Sequence, residues 1–131
     1  MDRHEEALLD FLELAAVSDQ KKQYPSRDKL LLLAGWEACQ TGLLNVADRC
    51  RDAILKHNPQ HLVGKYDRFH EMMKTEAGSS LIHQLERQIS RERVEFLLEE
   101  LSGGQTKTPR PSSTEGEGYH EFIDQLLAEI G

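Results

Sequence analysis

The run Leu30-Leu31-Leu32-Leu33-Ala34-Gly35-Trp36, continued by Ala38 and Cys39, leaves almost three helical turns without a polar face. A helix that is apolar all round must be covered on more than one side. The run therefore predicts the central helix of a small helical domain, with the other helices laid against it. At 131 residues the chain has room for one such domain and enough apolar content for one core.

The flanks read as helices too. Over residues 4–22, Leu8, Phe11, Leu12 and Ala15 recur at i, i+3, i+4 and i+7, with Glu5 and Glu6 at the end the helix dipole favours. Tyr24-Pro25-Ser26 reads as a turn in which Ser26 caps the central helix, 27–40. Gly42 ends that helix as a left-handed C-cap. A third helix, 44–57, carries the stripe Leu43, Val46, Ala47, Cys50 and Ile54 and stops at Asn58-Pro59. So short a connection between 27–40 and 44–57 predicts an antiparallel hairpin. A fourth helix, 60–74, shows Leu62, Tyr66, Phe69 and Met73 on one side. Ala77-Gly78 reads as a break, with Ser79 or Ser80 capping the next helix. Residues 80–101 carry two stripes, Leu81, Leu85, Ile89 and then Val94, Leu97, Leu98, Leu101. They read as two helices bent at Ile89-Ser90 rather than one, with Ser90 as the second N-cap.

From Gly103 to Gly118 the chain is Gly, Ser, Thr, Pro and charge without periodicity, the composition of a flexible linker. Beyond it Tyr119, Phe122, Ile123, Leu126, Leu127 and Ile130 form one apolar face opposite His120, Glu121, Asp124, Gln125 and Glu129. About twelve residues are too few for a stable isolated helix, so this segment must dock. Three seats are open to it: its own core, another protein's groove, or a second copy of the chain. Its acidic polar face does not suit a membrane surface, where Lys and Arg are expected.

Spacing in the hairpin, residues 31–59, resembles a single tetratricopeptide repeat. Gly35 and Ala38 stand where that repeat has its small residue and its aromatic. Gly42, Ala47 and Pro59 stand at its inter-helix glycine, packing alanine and terminal proline. The likeness implies that Gly35 and Ala47 let the two helices approach closely. It also implies an adaptor that offers a groove to a peptide or helix. The sequence departs at Leu31, Ala38, Arg51 and Ile54, and no second copy is seen at the right period. The family's carboxylate-gripping Lys and Asn would fall at Leu32 and Trp36, so an acidic C-terminal tail is not the implied ligand. An amphipathic helix suits such a groove better, and the chain carries one at residues 119–130.

A search for chemistry finds little. The formal net charge is −7, and no basic stripe marks a nucleic-acid surface. The local clusters Lys21-Lys22, Arg27 with Lys29, and Arg87, Arg91 and Arg93 read as solvated helix faces. No apolar run approaches the ~20 residues that cross a bilayer, and the acidic start lacks a signal core. The reading is cytoplasmic, with Cys39 and Cys50 as reduced, buried small hydrophobes. His57 and His61 are separated by Pro59, without a metal-site pattern around them. His61-Leu62-Val63-Gly64-Lys65 faintly resembles the phosphorylated segment of histidine phosphotransfer bundles, with the glycine one residue early.

The sequence thus predicts an all-α domain over 1–102, of five or six short helices, a linker over 103–118 and a C-terminal amphipathic helix over 119–131. No enzyme, cofactor or metal is implied. The functional expectation is a protein-interaction module, adaptor or regulator, with no nucleic acid and no membrane as partner. Its expected contact residues are Tyr66, Phe69 and Met73, taken as exposed on the fourth helix, with Trp36 if its ring reaches an edge, and Tyr119, Phe122, Ile123, Leu126, Leu127 and Ile130 on the tail. The alternatives are phosphotransfer through His61 or His70 and a homodimer exchanging its C-terminal helices.

Overall fold

The computed structural model describes residues 3–90, 93, 94, 97 and 118–130. These residues form an all-α structure with no strand: α1 (Arg3–Gln20), α2 (Tyr24–Gln40), α3 (Leu44–His57), a 3-10 turn (Leu62–Lys65), α4 (Phe69–Met73), α5 (Glu76–Gln88) and α6 (Gly118–Ile130). Residues 103–117, most of the expected linker, lie outside the described residues.

The first two connections are the same device used twice. After α1, Gln23 N–H donates to Ser18 O (2.8 Å) and Lys22 N–H to Asp19 O (3.0 Å). After α2, Leu43 N–H donates to Ala38 O (2.8 Å) and Gly42 N–H to Cys39 O (3.2 Å). Both are Schellman caps, which require a left-handed residue just past the helix. Gly42 supplies it at φ +81°, as its place in the sequence predicts, while Lys22 adopts φ +59° despite its side chain. Two three-residue turns of this kind fold α1, α2 and α3 back and forth, with α2 in the middle.

The central position of α2 holds. Leu30, Leu31, Leu32, Leu33, Ala34, Gly35 and Ala38 are all buried, and α1, α3, α4 and α5 all pack against this helix. Its start differs from expectation. The helix begins at Tyr24, so Pro25 occupies the first turn, where the missing N–H is not needed, and Ser26 is inside rather than capping.

That earlier start brings Arg27 into the interior, correcting its reading as part of a solvated face. Arg27 is fully buried. Its guanidinium donates to Asp19 Oδ1 (2.9 Å), to Asp28 Oδ1 (2.9 Å) and to the Ala53 carbonyl (3.2 Å). The Tyr24 ring lies 5.1 Å away. One side chain therefore ties the end of α1 to the start of α2 and the middle of α3. Burying an ion requires such pairing, because an isolated charge away from water is costly.

The expected fourth helix is interrupted. Residues 62–65 make a 3-10 turn, the chain extends through Tyr66 and Arg68, and α4 occupies five residues. The cause lies on α3. Asp48 Oδ1 accepts from Phe69 N–H (3.0 Å), serving as the N-cap of α4 from another helix, while its Oδ2 takes Arg68 Nε (2.9 Å). Phe69 is wholly buried with its ring against Gly35, where an added Cβ would meet ring carbons at 2.5 Å. Gly35 therefore admits the Phe69 ring from α4; the expected role in bringing α2 and α3 together is not its constraint. Ala47, on the α3 side, is fully buried.

The break expected at Ala77-Gly78 is instead the first turn of α5, capped by Thr75 rather than by Ser79 or Ser80. Thr75 Oγ1 accepts from Gly78 N–H (3.0 Å) and donates to Met72 O (2.7 Å), joining α4 to α5. Gly78 is needed because a Cβ there would collide with the Met72 carbonyl. The bend at Ile89-Ser90 is present. Ile89 is the C-cap of α5, Ser90 Oγ accepts from Arg93 N–H (3.2 Å), and Ser90 O accepts from Val94 N–H (3.0 Å). The rest of the second stripe, except the half-buried Leu97, lies outside the described residues.

Candidate interaction surface

The C-terminal helix settles on its own domain. α6 packs mainly on α1, with a smaller contribution from α3. Tyr119, Phe122, Ile123, Leu126, Leu127 and Ile130 are all buried, while His120, Glu121, Asp124, Gln125 and Glu129 face outward. The amphipathic division made from the sequence is reproduced residue for residue.

The seat exists because α1 has more apolar surface than one neighbour can cover. The expected stripe of Leu8, Phe11, Leu12 and Ala15 is buried, and so are Ala7, Leu9, Leu14 and Ala16. The Tyr119 hydroxyl donates to the Glu5 carbonyl (2.9 Å), which locates α6 along α1. Leu9 and Ala16, four and eleven residues after Glu5, share that side of the helix by periodicity. Both are buried (0% and 3% exposed). The signal in the sequence is the width of the apolar arc: with Ala7, Leu9, Leu14 and Ala16 added to the stripe, apolar side chains cover more than half of the helix circumference, wider than one neighbour's groove. A second polar tie joins α6 to α3, where Arg49 Nη1 donates to Asp124 Oδ1. Both side chains are well exposed (44% and 64%), so this pair orients the helix more than it stabilises it.

The four contact residues expected on the domain do not form one exposed face. Phe69 is the correction: it is a core residue, under α2 at Gly35. Trp36, Tyr66 and Met73 are half-buried and pack against the core. Trp36 meets the His4 ring edge-on at 5.9 Å, and His4 Nδ1 lies 2.7 Å from Glu37 Oε2. The backbone carbonyl of Tyr66 accepts from Arg51 Nε (2.9 Å).

The histidines are dispersed. His57 stacks on Tyr24 with ring centroids 4.5 Å apart. His61 is the N-cap of the 3-10 turn, its Nδ1 accepting from Val63 N–H (3.1 Å). Burial lowers the His61 pKa, because water no longer solvates the charged ring; the Asp28 carboxylate opposes this. His70 is the second residue of the five-residue α4, with its Nδ1 buried and unbonded. Neither His61 nor His70 lies midway along an extended helix. The thiols of Cys39 and Cys50 are pushed up to about 11 and about 12, chiefly by burial. Thiolates are the reactive form, so neither is activated. Among the described residues, no three His, Cys, Asp or Glu side chains gather as metal ligands, and no helix is long and apolar enough to cross a membrane.

Shallow hollows lie among the described residues. One, of about 480 Å³, lies at the start of α3 beside Arg68 and His120. Another, of about 520 Å³, lies between the α1–α2 turn and the end of α5, with Lys21, Lys29 and Arg93 around an apolar floor of Leu14, Val17 and Leu30.

Comparison with protein-family models, curated proteins and solved structures finds no match to this chain, so the tetratricopeptide likeness stands on the spacing of the hairpin alone.

Proposed function

We propose that the protein is a non-enzymatic interaction module, an adaptor or regulator, whose contact element is α6 together with its seat on α1 and α3. The observation that carries this reading is the docked amphipathic helix. It is too short to be stable alone, it buries a complete apolar face, and it comes after a stretch with linker composition. Helices of this kind bind grooves through apolar positions spaced i, i+3, i+4 and i+7. The tetratricopeptide-like spacing of 31–59 agrees with an adaptor role but places no ligand, since Leu32 is buried and Trp36 packs against the core.

The test is affinity capture from native extract. The wild-type chain is compared with the full-length variant Phe122→Asp/Leu126→Asp, in which α6 cannot seat. A specific protein lost from the variant makes α6 the ligand, and one gained by the variant makes the seat the ligand-binding surface. Identical captures, or none by either chain, reject the reading.

Exchange of α6 between two copies is the second reading, favoured by the same short helix and preceding linker composition, because swapping reuses the contacts made within one chain. Light scattering of the full chain decides it. Phosphotransfer through His61 or His70 draws no support from their positions; loss of signalling on His61→Gln or His70→Gln would restore it.

A further inference from the structure

We infer that α6 is an autoinhibitory occupant of its own seat, and that the partner it excludes is an amphipathic helix with a carboxylate facing Arg49. This deepens the interaction reading and rests on it. The occupant itself states the chemistry. Counting from Tyr119, the seat takes apolar side chains at i, i+3, i+4, i+7, i+8 and i+11. An outward carboxylate at i+5, Asp124, reaches the Arg49 guanidinium. A competing helix must reproduce that pattern.

Two observations separate a removable occupant from an ordinary core helix. First, α6 touches one side of the domain, packing on α1 and α3, whereas α2 is enclosed by four helices. The α1–α2–α3 packing, the Arg27 ties and the Asp48 cap involve no α6 residue. Second, the polar contacts that position α6 are of an interchangeable kind. Tyr119 reaches a backbone carbonyl, and Asp124 reaches an exposed Arg49. Rim charges of this type tune association rate and register rather than holding a core together. Tethering gives α6 an effective concentration in the millimolar range. A free helix of equal quality therefore loses to it, and a partner succeeds only by binding better or by being abundant nearby.

The probe is a fluorescein-labelled peptide with the sequence of residues 118–131, read by anisotropy against full-length protein. The Phe122→Asp/Leu126→Asp chain should keep a cooperative melt and bind the peptide at least about tenfold more tightly than wild type, whose seat is occupied. A peptide carrying the same two aspartates should not bind. An Asp124→Lys peptide should bind the opened chain about threefold more weakly, and Arg49→Glu in that chain should recover the loss. Equal binding to wild type and variant, or no binding to a variant that still melts cooperatively, overturns the inference. Should the variant lose its cooperative melt, wild-type protein supplies the decision through hydrogen exchange. Excess unlabelled peptide must then deprotect the amides of 118–130, and unchanged protection overturns the inference. Each of these failures leaves the interaction reading to the capture experiment, which does not depend on peptide exchange.

Discussion

α2 and α6 are both strongly apolar helices, and they are held in different ways. α2 is covered from several directions and shares Arg27 and Gly35 with its neighbours, so it cannot leave without taking the core apart. α6 presents one face and covers one face. The contrast teaches that apolar content sets whether a helix must be buried, while the width of its apolar arc sets how many neighbours must move to release it.

The comparison breaks most sharply under core truncation. Leu31→Ala in α2 should cost about 3–5 kcal/mol, the range for emptying a well-packed leucine site, and should lower the midpoint of a single global melt. A small local effect would show that α2 is not the common core. Arg27→Ala comes next at about 3 kcal/mol, since it strands Asp19 and Asp28 without their shared cation. These carboxylates keep some water, at 19% and 12% exposure, which holds the figure at the lower end. Urea titration measures it.

For α6 the expected signature is local. Phe122→Ala should raise hydrogen exchange in residues 118–130 by at least about tenfold while α2 amides stay protected, because docking rather than intrinsic helicity holds this helix. Equal deprotection of both would place α6 within the same cooperative unit as α2. Lys22→Gly should stabilise the α1–α2 turn by about 1 kcal/mol, because a side chain at φ +59° pays a penalty that glycine avoids.

The smallest effects are in pH dependence. The thiols of Cys39 and Cys50 titrate higher when folded, so their contribution is complete below about pH 8.5, the unfolded thiol value. It falls as pH rises towards their folded values of about 11 and about 12, since only the unfolded chain releases those protons there. His61 runs the other way. Its folded pKa is depressed, so its contribution is present above about pH 6.5, the unfolded histidine value, and declines as pH falls below it. Urea midpoints across pH 5–10 test both signs, and Cys50→Ala should remove part of the alkaline loss.

How much could be read from residues alone depends on the range of the interactions. The Leu30–Ala34 run, the stop at Gly42, the stripe on α3 and the two faces of α6 are decided by neighbours within one or two turns. Local periodicity and glycine's access to positive φ suffice for them. The second apolar side of α1 was also written in the chain, in Leu9 and Ala16, though it becomes meaningful only once α6 covers it. Other features turn on residues distant in sequence. Leu62, Tyr66, Phe69 and Met73 keep helical spacing, yet Asp48 on α3 captures the Phe69 amide, Gly35 on α2 receives its ring, and the helix is cut short. Arg27 carries no local sign of burial; Asp19 and the Ala53 carbonyl make it possible from two other helices. The sequence by itself determined that this protein is all-helical, which helix must be enclosed, and which face of α6 must dock. Only the tertiary structure decided where α6 docks and which charged and aromatic side chains enter the core, because those outcomes depend on partners that chain order does not place side by side.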